Sequence, residues 1–202
     1  MHVLCLDLEG VLVPEIWIEF AKVTGIEELK RTTRDEPDYA KLMNYRINIL
    51  KKENLKLKDI QKVISGMNPL PGAKEFIQEA KSLLQVIILS DTFTEFAHPL
   101  MEQLGFPTIF CNSLKIDSDN FISGFSLRQE DGKTKAVKAL KSINLKVMAS
   151  GDSYNDLGMI KVADSGALFR TTDKIKADFP DIPAYTEYSQ LIEHIKRFKT
   201  EF

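Results

Sequence analysis

The sequence predicts an α/β fold, a doubly wound parallel sheet with a small helical cap inserted after the first strand and a β-hairpin later in the core. Three observations predict it. Short apolar segments recur, each ending in small or acidic residues and followed by residues at helical spacing, which is the alternation of parallel strands with crossover helices. Between the first two of these segments lies a long stretch whose apolar residues recur at helical spacing only. Finally, Asp117-Ser118-Asp119-Asn120 separates two apolar flanks between Leu114 and Leu127, the pattern of a hairpin.

The first strand is Val3-Leu4-Cys5-Leu6, which runs into Asp7. The insertion follows, over about residues 14 to 70, with one apolar face formed by Leu42, Tyr45, Ile49 and Leu50 and another by Leu57, Ile60, Val63 and Ile64. Pro14 marks its beginning, and Pro69, Pro71 and Gly72 mark its end, because these residues stop helices and restrict the chain. Residues 1–13 and 71–202 are therefore expected to form the core, with 14–70 as the cap. The second strand, Val86-Ile87-Ile88-Leu89, runs into Ser90-Asp91. The third, Thr108-Ile109-Phe110-Cys111, follows the breakers Gly105 and Pro107. The fourth, Val147-Met148-Ala149, runs into Ser150-Gly151-Asp152. The fifth, Ala167-Leu168-Phe169, follows Gly166 and precedes Thr171-Thr172, an expected helix N-cap. In such a Rossmann-like sheet the carboxyl ends of the strands share one edge, where ligands bind.

Composition narrows the function. The chain has 202 residues, 44% of them hydrophobic, and 27 Lys plus Arg stand against 29 Asp plus Glu for a formal charge of -2. Without a long basic block, there is no electrostatic footprint for nucleic acid or an anionic membrane. Two cysteines, Cys5 and Cys111, are too few and too far apart for a disulfide framework or a Cys-rich zinc site. A reducing cytoplasm is the expected compartment. Asp7 and Glu9 interrupt any secretory apolar core, and no apolar run approaches the ~18 residues of a membrane span.

The chemistry is expected at the strand ends. Asp7 and Glu9 stand at i and i+2 after the first strand, with Gly10 permitting a sharp turn, so both carboxylates can face one side of an extended backbone. Acidic pairs also cap helices and solvate loops. Gly151-Asp152-Ser153-Tyr154-Asn155-Asp156 follows another strand; it reads as an N-cap or as one side of an oxygen-rich site for a hard Mg²⁺ ion. Ser90 can offer a hydroxyl and an amide to a phosphate oxygen, or simply cap a helix. Lys133, ahead of Ala136, Val137 and Leu140, is either a fixed charge or a solvated lysine.

Competing readings are weaker. Gly132-Lys133-Thr134 resembles the end of a nucleotide-binding P-loop, but Leu127 stands where that loop requires glycine. His2, His98 and His194 have neither metal-ligand spacing nor a triad context, and Trp17, Phe20 and Phe93 read as packing aromatics. A receiver-type signalling module shares the acidic pocket, hydroxyl and lysine, but it lacks the helical insertion and the Gly-Asp-x-x-Asn-Asp segment.

Taken in order, Asp-x-Glu-Gly-Val, a strand-terminal serine, a lysine and Gly-Asp-x-x-Asn-Asp resemble the four motifs of the haloacid dehalogenase superfamily of phosphotransferases. The cap after the first motif looks like the phosphoserine phosphatase branch. The stretches from Leu6 to Ile18, Thr32-Thr33-Arg34-Asp35, Ile88 to Phe93, Gln103 to Thr108 and Gly151 to Asp156 look like its bacterial bifunctional subgroup, in which phosphoserine phosphatase activity is joined to phosphoserine:homoserine phosphotransfer. Two departures from the wider pattern, Glu9 where most members carry Asp and Asp91-Thr92 where phosphoserine phosphatases carry glycines, agree with that subgroup.

The resemblance implies that Asp7 is the nucleophile, Glu9 the general acid and base, and Asp7, Asp152 and the Glu9 carbonyl the ligands of Mg²⁺. It implies further that Ser90, Asn155 and Lys133 hold phosphate, that Asp91 belongs to the substrate site, and that Asp156 orients Lys133 or the metal shell. Glu15 would meet the substrate ammonium and Arg46 its carboxylate. Phosphoserine, homoserine and water are the small molecules implied; a plain phosphoserine phosphatase and a phosphatase of another small phosphomonoester are the alternatives.

Overall fold

A computed structural model describes residues 1–33, 35, 36 and 38–201. Arg34 of the Thr32–Asp35 stretch lies outside the described residues. In chain order the elements are β1 (His2–Leu6), α1 (Ile16–Thr24), a 3-10 turn (Glu27–Lys30), α2 (Tyr39–Lys52), α3 (Leu57–Ser65), α4 (Ala73–Leu83), β2 (Gln85–Phe93), α5 (Thr94–Gln103), β3 (Thr108–Ile116), β4 (Ile122–Ser126), α6 (Gly132–Ser142), β5 (Lys146–Gly151), a second 3-10 turn (Tyr154–Asp156), α7 (Leu157–Val162), β6 (Ser165–Phe169), α8 (Asp173–Asp178), β7 (Ala184–Tyr185) and α9 (Tyr188–Glu201). Among the described residues no helix is long and apolar enough to cross a membrane.

The seven strands form one sheet in the order β4-β3-β2-β1-β5-β6-β7, parallel except for the β3–β4 hairpin. The doubly wound α/β fold is thus the observed one. Central strands are apolar on both faces, as a sheet covered by helices on each side requires. Leu4 and Leu6 point into the cluster shared with α4 and α9, whereas Val3 and Cys5 point into the cluster with Val137, Leu157 and Ile175. Buried Cys5 and partly buried Cys111 are free thiols.

β2 and β3 extend furthest beyond their apolar runs. β2 continues through Ser90, Asp91 and Thr92 to Phe93, with a register shift against β3 between Leu89 and Phe93. Such an irregularity re-aims side chains at a sheet edge. β3 also continues from its parallel pairing with β2 into the first arm of the hairpin. Thr172 caps α8 by accepting from the Ile175 amide at 3.4 Å. The two-residue strand β7 is too short to leave a periodic signal in the sequence.

The inserted helices α1, α2 and α3 lie between β1 and β2. Their apolar residues, including Phe20, Met43, Leu50 and Ile60, belong with Leu29 of the intervening 3-10 turn to the same continuous cluster as Leu4 and Leu6. The incoming and outgoing connections run side by side, with the Leu70 amide donating to the Leu12 carbonyl at 2.9 Å. The hairpin tip also reaches the insertion: Leu57 and Lys58, at the start of α3, donate to the Asn120 carbonyl at 3.0 Å and to its side-chain oxygen at 3.1 Å. Asn120 thereby satisfies two amides that a helix start leaves unpaired.

Candidate active site

Four buried side chains meet at the carboxyl edge of β1 and β5. The Asp7 amide continues the β1–β5 ladder by donating to the Ser150 carbonyl at 3.0 Å, so the side chain leaves the sheet just past its edge. Asp7 Oδ1 accepts from the Leu8 amide and from Lys133 Nζ, each at 2.8 Å. Lys133 also donates to Asp156 Oδ1 at 2.7 Å. The other Asp156 oxygen accepts from the amides of Asp152 and Ser153, both at 3.0 Å. Asp156 therefore builds the turn and anchors the lysine.

Glycine is required at two points of this cluster. A Cβ on Gly151 would stand 2.2 Å from Asp156 Cγ, and one on Gly10 would stand 2.7 Å from the Asp152 carboxyl group. Gly10 also has φ +78°, a left-handed conformation that side chains disfavour. These close approaches let backbone lie directly against carboxylate.

Carboxylate oxygens of Asp7, Asp152 and Asp156 all lie within 4.8 Å of one another. Burial pushes the Asp7 carboxyl well above the usual carboxylate range, the Asp156 and Asp152 charges push it the same way, and Lys133 opposes them. One ammonium among three buried acids leaves excess negative charge. An all-oxygen site of this kind fits a hard divalent cation.

A second group lies under the insertion. Glu9 follows Asp7 by two residues, and its carboxyl group accepts the Ile16 amide at 2.9 Å, at the start of α1. The helix has no cap from its own Glu15 side chain, so Glu9 satisfies that N-terminus from outside. Desolvation first and the neighbouring Glu15 carboxylate second outweigh the Ile16 amide and Arg46, and together they leave Glu9 raised to about 8.

Arg46 lies four residues from both Leu42 and Leu50, so it occupies the buried stripe of α2. Its guanidinium stacks over Trp17 with 4.6 Å to the ring centroid and donates to the Arg31 carbonyl at 2.7 Å. Burial lowers it to about 10, while Tyr39, Glu9 and Glu15 act to raise it. Its Nε is buried without a hydrogen-bond partner, an open donor of a kind that pairs well with a carboxylate.

Ser90, Asp91 and Asn155 stand beside the first group. The Thr92 amide donates to buried Ser90 Oγ at 3.2 Å. Asp91 Oδ2 accepts from Asn155 Nδ2 at 2.9 Å and lies 3.8 Å from Lys133 Nζ. Ser90, Asp91 and Lys133 line a cavity of about 260 Å³ together with Asn112 and Arg128. The expected residues thus form two neighbouring groups joined through the Asp7-Leu8-Glu9 segment.

Sequence reasoning missed Tyr39 and Asn112. Both donate to the Asp91 carbonyl, at 3.0 and 3.1 Å. Tyr39 opens α2 just after its cap Asp38, which accepts from the Lys41 amide; an aromatic in a first turn carries no signal that it will reach a strand 52 residues away. Trp17, read as a packing aromatic, does pack edge-on against Phe20 and Phe96 at 6.5 and 5.8 Å. It also carries the Arg46 guanidinium.

Known proteins resemble this chain at both levels. The family model for haloacid dehalogenase-like hydrolases matches residues 1–164. The chain is 52% identical to phosphoserine phosphatase ThrH of Pseudomonas aeruginosa, over 95% of this chain and 93% of that one. It is 51% identical to a phosphoserine phosphatase of Pseudomonas syringae pv. tomato, over 95% of this chain and 81% of the relative. A substrate-bound phosphoserine phosphatase complex superposes with a TM-score of 0.80 at 22% identity, covering 96% of this chain and 97% of that chain, which is a likeness of fold. By its matched family, by its similarity to these relatives and by its sheet, the chain belongs to the haloacid dehalogenase-like hydrolases.

Proposed function

We propose that the protein is a Mg²⁺-dependent phosphoserine phosphatase that also passes the phosphoryl group to homoserine. The observation that carries this reading is the pairing of the two groups. At the Asp7 end of Asp7-Leu8-Glu9 stand Lys133, Asp152 and Asp156, a group that with a divalent cation bound would suit a phosphoryl group; at the Glu9 end stand Glu15 and Arg46, suited to the ammonium and carboxylate of an amino acid. The two Pseudomonas relatives, named as phosphoserine phosphatases, support the same substrate. The name ThrH on one of them accords with a homoserine acceptor.

Asp7 attacks phosphorus, a P–O bond to Asp7 forms and the bond to the seryl oxygen breaks. Glu9 gives its proton to that departing oxygen, a role suited to an acid raised to about 8. As a carboxylate it then takes the proton of water or of the homoserine hydroxyl as that oxygen attacks phosphorus. The bond to Asp7 breaks, and its carboxylate is restored. Lys133 and Asn155, with Ser90, orient the phosphoryl oxygens, while Asp156 keeps Lys133 aimed at Asp7. The inserted helices and hairpin restrict water, so that a bound alcohol competes as acceptor.

Asp7 and Asp152 would hold Mg²⁺, together with the Glu9 main-chain carbonyl. Bound there, the ion supplies positive charge between an anionic nucleophile and an anionic phosphate. Quenching a reaction with labelled phosphoserine and mapping the labelled peptide tests the nucleophile. Label on the peptide containing Asp7, and its loss in Asp7→Asn, is the expected result; label elsewhere would count against the scheme.

A further inference from the structure

Asp91 competes for the donors that the proposed phosphate site needs, and the inference below rests on that site. Asn155 Nδ2 donates to Asp91 Oδ2 at 2.9 Å, while the Asn155 side-chain oxygen accepts from the Ser153 hydroxyl. The same Asp91 oxygen lies 3.8 Å from Lys133 Nζ. Two groups that should meet a phosphoryl oxygen therefore already face a carboxylate of this chain.

The main chain and side chain of Asp91 are held very differently. Its carbonyl accepts from Tyr39 Oη at 3.0 Å and from Asn112 Nδ2 at 3.1 Å, and the Tyr39 ring stands edge-on to Phe125 at 6.0 Å. Its side chain is 48% exposed. A fixed backbone with an exposed carboxylate permits rotation toward solvent without disturbing β2. A phosphate dianion arriving within a few ångströms would repel that carboxylate strongly in this partly buried setting.

We propose that Asp91 is an internal competitor of phosphate. Its carboxylate holds Asn155 and faces Lys133 until a phosphate ester takes both, then returns to help displace inorganic phosphate. The residue thereby sets how tightly the product is retained. This gives a charged side chain in the anion site a task that Gly or Ser in its place would not perform.

The test uses the full-length protein with Mg²⁺ and inorganic phosphate as the probe, measured by calorimetric titration and as inhibition of ester hydrolysis. Asp91→Asn keeps the side-chain shape and removes the charge; Asp91→Ala removes both. Phosphate should bind roughly tenfold more tightly to each variant than to the unaltered protein. Unchanged or weaker phosphate binding in both variants would overturn the proposal. A raised KM for phosphoserine with phosphate binding unaltered would also overturn it, assigning Asp91 to the substrate ammonium instead. Structural damage does not produce a gain in affinity, and a urea midpoint for each variant identifies any that fails to fold. If the unaltered protein does not hydrolyse phosphoserine, the substrate reading fails while the calorimetric comparison still decides the role of Asp91.

Discussion

Lys133 Nζ stands 2.8 Å from Asp7 Oδ1, and both side chains are buried. This contact links the proposed nucleophile to Asp156 through a single ammonium, so charge balance and catalytic geometry depend on the same side chain. Removing one partner from such a group leaves uncompensated buried charge. Lys133→Met should therefore lower stability by about 3 kcal/mol and reduce the hydrolysis rate by at least ~10³-fold. Urea unfolding and steady-state rates, measured on the same preparation, check both; a fully stable variant with near-normal turnover contradicts the assignment.

Glu9 provides a pH signature. Its ordinary value is 4.5 and its folded value is about 8. Between these, the folded chain retains a proton that the unfolded chain has lost, so this contribution to stability falls as pH rises, by up to ~1.4 kcal/mol per unit. It is fully present below 4.5 and gone above about 8. Glu9→Gln should flatten that part of the stability profile. Denaturation of both proteins across this window gives the answer, and parallel profiles would mean that Glu9 ionises normally.

Arg46 should discriminate between esters. Lysine cannot reproduce the planar guanidinium that stacks on Trp17. Arg46→Lys is expected to lower kcat/KM for phosphoserine about a hundredfold, the ~3 kcal/mol of a charge-assisted pair. Hydrolysis of p-nitrophenyl phosphate, which has no carboxylate, should change less than about threefold. Equal losses on both substrates would show a structural role instead.

Gly10 tests the metal cradle. Alanine there would be forced into a left-handed conformation, at a cost of about 1–2 kcal/mol, with its Cβ pressed to 2.7 Å from the Asp152 carboxyl group. Mg²⁺ binding to Gly10→Ala, followed by calorimetry, should weaken at least ~10-fold. Intact affinity would place the ion away from Asp152.

Much of this arrangement was legible because its signals are local. Apolar runs ending in Asp7, Ser90 and Asp152 mark strand ends, and the parallel sheet brings strand ends together. The reach of β2 to Phe93 was not legible, since polar Ser90, Asp91 and Thr92 interrupt its apolar run and the end is paired only through an irregular register with β3. Long-range contacts left still less trace. Asn120 meets α3 across 62 residues, and a hairpin-tip asparagine looks the same whether or not a helix rests on it. Arg46 stood in an apolar stripe, a visible anomaly, but the carboxylates around it came from distant segments.

The most direct measurement is a Mg²⁺-dependent incubation with phosphoserine, with and without homoserine, following serine, inorganic phosphate and phosphohomoserine together. Serine is expected in both mixtures, with phosphohomoserine formed at the expense of inorganic phosphate when homoserine is present. Phosphate release indifferent to homoserine would remove the transfer reaction, and the absence of serine from both mixtures would show that phosphoserine is not the substrate.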